Sequence, residues 1–335
     1  MEQFNAFKDN WLDCSALFSN ESRIAELPVN LPVSFFESLQ FDSDTFKKYR
    51  IDAAIKCAET LGDNPALCLS GGVDSQAMVQ CWTEANLKFK VVTLEFNDGL
   101  NAQDVDHASL YCDKHSIELI KIPFDIIKFL TRENYDIGIK YRSPSPHFNT
   151  HYRLFELLRE QGFTGACAGG VSPLKNNASA VWGTNFEYVC MNFIQFAQIS
   201  NFPCQGSFLS YDPHLAWAIG LVTPNNLTVH SEIGTNVMTW TERIVAQAVR
   251  YNDKLAGFKT AGFDVIPQQQ KYTGFELVKK YFEKISGDGW EFEKRFRYPL
   301  SSLFLKTYGS PKFLLPVEQS SILDSIYNNN VIASR

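Results

Sequence analysis

Residues 66–78, with the sequence ALCLSGGVDSQAM, decide the fold. The first four, Ala66 to Leu69, form a short apolar run that is typical of a buried β-strand. The segment SGGVDS over residues 70–75 interrupts this run with two glycines, and a helical pattern follows from Gln76 to Ala85. A strand, a glycine-rich turn and a helix in this order are typical of a ligand-binding turn in an α/β protein.

The same alternation continues along the chain. Further strands are predicted at residues 90–96, 117–122 and 165–169, with helices at 46–61, 104–115 and 150–161. Strands that alternate with helices predict an α/β fold with a doubly wound parallel sheet. Right-handed crossovers bring the strand ends to one edge of such a sheet, where ligands bind.

Three parts are predicted along the chain. Residues 1–60 form an N-terminal extension that packs on the core, and residues 61–200 form the α/β domain. Residues 201–335 form a mostly helical C-terminal lobe, with helices predicted at 239–251 and 274–285.

Composition excludes several classes of protein. The 335 residues include 31 basic and 37 acidic side chains, and this net charge of −6 argues against a protein that coats DNA. No apolar run approaches the roughly 18 residues that span a bilayer, and the first residues do not resemble a signal peptide. The eight cysteines contain no CxxC pair. We therefore expect a cytoplasmic protein with free, buried thiols and no membrane association.

The segment SGGVDS has the residue types that phosphate binding requires. Gly71 and Gly72 let backbone N–H groups approach an anion, and the following helix adds its positive N-terminal end. The hydroxyls of Ser70 and Ser75 can donate hydrogen bonds to phosphate oxygens. Asp74 fits this environment if Mg²⁺ bridges its carboxylate to a polyphosphate. The alternative is a glycine-rich turn in which Asp74 only caps a helix.

This motif resembles the PP-loop of the ATP pyrophosphatase superfamily, also called adenine nucleotide alpha hydrolase-like or HUP-like, and in particular asparagine synthetase-like domains. The resemblance implies that ATP is cleaved between its α- and β-phosphates, that AMP is transferred to an acceptor oxygen and that pyrophosphate is released. The implied cofactors are ATP and Mg²⁺, with Asp74 as both a catalytic residue and the metal ligand. The residues implied to bind ATP are Ser70, Gly71, Gly72, Val73, Asp74 and Ser75 in the loop, Leu94 and Phe96 at the adenine, and Gly169 and Gly170 after the fourth strand.

The superfamily also suggests a role for basic residues near the C-terminus. Residues 271–312 hold nine Lys and Arg against five Asp and Glu. By the resemblance, Lys294, Arg295 and Arg297 are candidate catalytic contacts to pyrophosphate, which needs several positive charges. The alternative is that these residues form a solvated or partner-facing basic surface.

Two departures from asparagine synthetase affect the expected reaction. Residue 2 is Glu rather than the catalytic Cys of a glutaminase, so we expect ammonia to be free or delivered by a separate glutaminase. Residues 165–170 hold no acidic side chain, which argues against an aspartyl-type substrate.

Three functions follow in order of preference. The first is an AMP-forming, amide-forming ligase that acts on a small-molecule acceptor. The second is a tRNA- or nucleotide-modifying enzyme, with RNA as a partner of the basic stretch. The third is a non-catalytic nucleotide-binding or assembly protein. The resemblance also suggests a homodimer.

Overall fold

The computed structural model describes residues 43–169, 174–176, 182–184, 186–212, 214–215, 262–268, 274–287 and 291–308. The predicted helix at 239–251, the candidate residue Gly170 and most of the predicted N-terminal extension lie outside these ranges.

A parallel sheet forms the centre of the protein. Its strands are β1 (Pro65–Cys68), β2 (Lys90–Phe96), β3 (Leu119–Phe124), β4 (Gly165–Ala168) and β7 (Cys204–Gln205). They lie in the order β3-β2-β1-β4-β7, and every neighbouring pair is parallel. The strands therefore all end at one edge, called here the carboxyl edge. The short strands β5 (Leu174–Asn176) and β6 (Trp182–Thr184) pair separately and antiparallel.

Helices connect and flank these strands. They are α1 (Ser43–Leu61), α2 (Val73–Glu84), α3 (Ala102–His115), α4 (Asn134–Lys140), α5 (Pro146–Glu160), α6 (Phe186–Ser200), α7 (Glu276–Ser286), α8 (Phe292–Phe296) and α9 (Tyr298–Tyr308). Shorter helical turns lie at Asn97–Gly99, Ile126–Lys128, Phe129–Glu133 and Phe208–Ser210. The described chain from residue 276 to 308 is thus largely helical, as predicted.

Both faces of the sheet are covered, because successive side chains of a strand point to opposite faces. Leu67, paired with Val91 and Cys167, belongs to the hydrophobic core that α1, α2 and α3 share. Ala66, one residue earlier, belongs to the second core, which contains residues of α5, α6 and α7. The predicted doubly wound α/β sheet is therefore confirmed.

The ends of the helices follow from local chemistry. Helix α1 ends at Leu61 because Gly62, at φ +81°, adopts the left-handed conformation that stops a helix. Helix α5 begins at Pro146, four residues before the predicted start, since proline is well suited to the first turn of a helix. Strand β2 has the predicted bounds, whereas β3 begins two residues later than predicted.

A buried carboxylate joins α4 to α5. Glu156 Oε1 accepts hydrogen bonds from Lys140 Nζ at 2.6 Å and from Tyr141 OH at 2.7 Å. Glu156 Oε2 accepts from Arg153 Nη1 at 3.1 Å. Burial alone would raise the pKa of Glu156, but the bonds from Lys140 and Tyr141 outweigh it and hold the pKa below its usual value.

We predict that Glu156→Gln lowers the free energy of unfolding by about 1–3 kcal/mol at pH 7, because it removes the charge of a buried carboxylate that accepts three hydrogen bonds. Glu160→Gln is the matched control. Glu160 also contacts Arg153, but it is exposed, and its loss should cost less than about 0.5 kcal/mol. Urea unfolding measures both variants.

The effect of Glu156→Gln should fade in acid. A carboxyl group with a lowered pKa stabilises the fold above its unfolded-state pKa, and this contribution disappears as the pH falls through the folded-state value. Equal costs for the two variants at pH 7 would contradict the assignment of this network.

Candidate functional site

The segment SGGVDS leads from β1 through a tight turn into the first turn of α2, at the carboxyl edge. The last link to the sheet is the N–H of Leu69, which donates to Val92 O at 2.8 Å. Ser75 then closes the loop on itself. Its Oγ accepts from the Ser70 N–H at 3.2 Å and donates to Gly72 O at 2.8 Å. Ser75 is buried and its hydroxyl proton is directed at the loop backbone, so in this structure it stabilises the loop itself.

Two peptide planes in the loop are fixed by hydrogen bonds. Gly71 O accepts from Gln76 Nε2 at 2.8 Å, and Gly72 O accepts from the N–H groups of Ser75 and Gln76 at 3.1 Å. In a trans peptide the C=O and the following N–H point in opposite directions. The N–H groups of Gly72 and Val73 are therefore directed away from these donors, beside the positive end of α2. This arrangement suits an anion such as phosphate.

Glycine is required at two positions because the backbone packs closely there. A Cβ on Gly71, which has φ +75°, would lie 2.4 Å from Asp104 O in the first turn of α3. A Cβ on Gly169, after β4, would lie 2.5 Å from Ser75 Cα. By contrast, a Cβ on Gly72 would meet only Ser70 Oγ, at 3.5 Å. The predicted glycines thus have different roles, and open space for a ligand lies at Gly72.

We predict that Gly71→Ala lowers the free energy of unfolding by about 1–3 kcal/mol, because the added methyl group collides with the backbone of α3 and the conformation is left-handed. Gly72→Ala, at φ −72°, should change it by no more than about 0.5 kcal/mol. Chemical unfolding of both variants beside the wild type tests this difference. Similar losses for the two would show that the loop is not packed against α3 as described.

Two carboxylates lie near the loop. Asp74 is half-buried on the first turn of α2, and Asp104 is buried on the first turn of α3. Burial raises the pKa of Asp104 to about 6, and the nearby charge of Glu276 adds to this, against a hydrogen bond from Gln268. Mg²⁺ in nucleotide sites takes one or two carboxylates together with phosphate oxygens, so the position of Asp74 fits it. Among the described residues, no group of three or more His, Cys, Asp or Glu is placed to hold a metal ion.

The end of β2, predicted to hold adenine, is occupied by a side chain. Asn101 Nδ2 donates to Leu94 O at 2.8 Å, and Asn101 Oδ1 accepts from the Phe96 N–H at 2.8 Å. The Phe96 side chain is buried against Phe124 and Phe275. A ligand that used these two backbone groups would therefore have to displace the buried amide of Asn101.

The three candidate cations near the C-terminus have different surroundings. Lys294 is exposed and forms an ion pair with Glu291. Arg295 is exposed and lines a cavity of about 130 Å³ together with Arg132 and Tyr135. Arg297 lies close enough to His147 for its charge to lower the pKa of that imidazole. The described contacts of Lys294 and Arg295 do not include the loop.

Ring contacts link His147 to the end of β2. Its ring centroid lies 4.2 Å from that of Phe275, which in turn lies 6.0 Å from that of Phe96. Burial, with the charges of Lys279, His151 and Arg297, lowers the pKa of His147 to about 4 against the opposing effect of Glu276. The imidazole is therefore neutral at pH 7, among cations that an anionic ligand could contact.

We predict that acidification from pH 6.5 towards 4 destabilises the fold through His147. In this range the unfolded chain takes up the proton and the folded chain does not, so stability rises with pH. His147→Phe, which keeps an aromatic ring against Phe275, should reduce the loss of stability in acid. Urea unfolding at pH 7 and pH 5 measures this. An imidazole NMR titration with a midpoint near 6.5 would contradict it.

The sequence placed Asn101 in a polar segment after β2 and His147 in an i, i+4 pair with His151. It did not indicate the contacts that these two residues make, and it did not indicate Gln76. Asn101 follows β2 by five residues, a spacing that any loop residue could have. His147 contacts residue 275, and Gln76 contacts residue 266. No local sequence pattern reveals contacts between residues this far apart in the chain.

No family model and no curated protein matches the sequence. Among solved structures, the U34-tRNA thiolase NcsA from Methanococcus maripaludis, with its 4Fe-4S cluster, is 16% identical over 74% of this chain and 82% of its own, at a TM-score of 0.32. NMN synthetase from Francisella tularensis is 13% identical over 83% of this chain and 99% of its own, at a TM-score of 0.36. Likenesses this remote do not bear on substrate or reaction, and the fold class stands on the parallel sheet itself.

The structure also bears on membrane association. No helix in the described ranges combines the length and the apolarity needed to cross a bilayer.

Proposed function

We propose that this chain is an ATP pyrophosphatase of the PP-loop type, which binds ATP with Mg²⁺ at residues 70–75. The observation that carries the proposal is the orientation of the loop. The carbonyls of Gly71 and Gly72 are held by Gln76 and Ser75, so the N–H groups of Gly72 and Val73 point away from these donors, beside the N-terminus of α2. A parallel α/β sheet binds ligands at this edge.

The proposed reaction begins when an acceptor oxygen attacks the α-phosphorus of ATP. A bond forms between that oxygen and phosphorus, the bond to the bridging oxygen breaks, and pyrophosphate leaves with the electron pair. The loop N–H groups and the N-terminus of α2 stabilise negative charge on the departing group. Mg²⁺, when bound to Asp74, supplies further neutralisation of that charge.

Other residues of the chain would orient the substrate. Arg297 and Lys279 place positive charge around the neutral imidazole of His147. Such charges attract the polyphosphate without needing a protein nucleophile. We propose that Arg297, rather than Lys294 or Arg295, is the C-terminal cation that contacts pyrophosphate. Its charge acts on His147, and ring contacts link His147 to the end of β2.

For the acceptor, the preferred proposal is a small-molecule carboxylate. Ammonia, free or supplied by a separate glutaminase, attacks the carbonyl carbon of the adenylated carboxylate, and AMP leaves with the acceptor oxygen as the amide forms. The second proposal is modification of a tRNA or nucleotide. The cavity that Arg132 and Arg295 line favours this second reading, because both guanidinium groups are exposed and can bind a phosphate of the acceptor.

We predict that the wild type, with Mg²⁺ and a suitable acceptor, converts α-labelled ATP into AMP and pyrophosphate. Asp74→Asn should slow this about 100-fold or more, because the site loses its carboxylate ligand. Asp106→Asn, at an exposed position on α3, is the matched control and should stay within about twofold of wild type. Chromatography of the labelled products measures both.

The acceptor pools distinguish the alternatives. Turnover with ammonium and carboxylates supports the amide ligase, and turnover that requires RNA or nucleotides supports the second reading. Release of ADP and phosphate would overturn the PP-loop mechanism. Binding of ATP without turnover in any pool would identify a non-catalytic nucleotide-binding protein.

A further inference from the structure

Gln76, the first residue after the SGGVDS loop, is fully buried and forms three hydrogen bonds with its side chain. Its Nε2 donates to Gly71 O at 2.8 Å and to Ile266 O at 3.0 Å. Its Oε1 accepts from the Ile266 N–H at 2.6 Å. Both N–H donors of the amide are thus used, one on the loop and one on a residue 190 positions away.

Residues 262–268 lie across α2 and α3 and are held at several points. Gln80, one turn after Gln76, accepts from the Asp264 N–H at 2.7 Å. The Asp264 carboxylate accepts from Lys114 on α3 at 2.5 Å. The side chains of Val265 and Ile266 pack on the core that α1, α2 and α3 share. Residues 262–268 are therefore a docked segment. Two glutamine side chains of α2 form hydrogen bonds with its backbone.

The bond from Gln76 to Gly71 matters because of the peptide that it holds. The Gly71–Gly72 peptide lies between two glycines, whose backbones accept many conformations at little cost. If this peptide rotated, a carbonyl oxygen would face the anion in place of the Gly72 N–H. The hydrogen bond from Gln76 selects the orientation in which the N–H faces outward.

We propose that Gln76 is a positioning residue that ties the geometry of the phosphate-binding loop to the docking of residues 262–268. When Ile266 is in place, it orients the amide of Gln76 for its bond to Gly71 O. When Ile266 leaves, the buried amide loses two of its three partners and is no longer fixed against the loop.

The coupling must act in both directions. An anion that binds the oriented loop favours the docked state of residues 262–268, and docking favours anion binding by the same factor. This inference rests on the proposed function, because it assigns a role at a loop proposed to bind ATP.

The test compares Gln76→Met with Gln80→Met in the full chain. Methionine has nearly the volume of glutamine but forms none of these hydrogen bonds. Gln80→Met removes a bond to the same segment without touching the loop. We expect Gln76→Met to raise the Kd for ATP about tenfold or more, and Gln80→Met to change it less than about threefold. The Kd for adenosine, which has no phosphate, should not change in either variant.

Hydrogen exchange in the wild type gives a second measurement that needs no variant. ATP should slow exchange of the Ile266 N–H, which Gln76 binds. This readout separates positioning from a general loss of fold, and it remains available if Gln76→Met does not fold.

The outcomes separate the two proposals. If the wild type binds ATP and Gln76→Met binds it equally well, or if ATP leaves exchange at Ile266 unchanged, the coupling is overturned while the proposed function stands. If Gln76→Met weakens ATP and adenosine alike, the role of Gln76 is merely structural and the coupling is overturned. If the wild type does not bind ATP, the proposed function is overturned, and the coupling with it.

Discussion

The close approach of the loop backbone at Gly71 to the first turn of α3 is the contact on which the site depends. At this point no side chain separates the SGGVDS loop from the carbonyl of Asp104. A second approach of the same kind joins Gly169, after β4, to the first turn of α2. Together they pack the loop between the elements on either side of β1. The central position of β1, paired with both β2 and β4, makes these contacts possible.

Much of this architecture could be predicted from local sequence. The buried strands β1 and β2 and the glycine-rich turn between a strand and a helix have strong local patterns, and all three are present. The two-sided burial of the sheet follows from alternation within each strand, as at Ala66 and Leu67. Helix starts were predicted less well: the helical pattern was placed at residues 150–161, whereas α5 already begins at Pro146.

Contacts between distant residues could not be predicted. Leu94 and Phe96 are at the carboxyl edge as predicted, yet their backbone groups are bonded to the amide of Asn101. The basic residues at 294–297, in α8 and directly after it, looked uniform in sequence, but successive side chains face different surroundings. Arg297 lies near His147, while Arg295 faces a separate cavity and Lys294 pairs with Glu291. Spacing alone carries no information on these differences.

Burial shifts the pKa values of the acid and the base of this region in opposite directions. In each case it favours the uncharged form. It raises the pKa of Asp104 and lowers that of His147. The cost of charging these groups depends on what lies beside them, so an arriving cation favours ionised Asp104 and an arriving anion favours protonated His147.

A helix N-terminus alone would offer an anion a fixed partial charge. Here the loop is also bonded to Gln76 and packed against α3, so its geometry depends on parts of the chain that lie far apart in sequence. By the proposed function, a phosphate bound at this loop acts on these packing contacts as well as on one helix end.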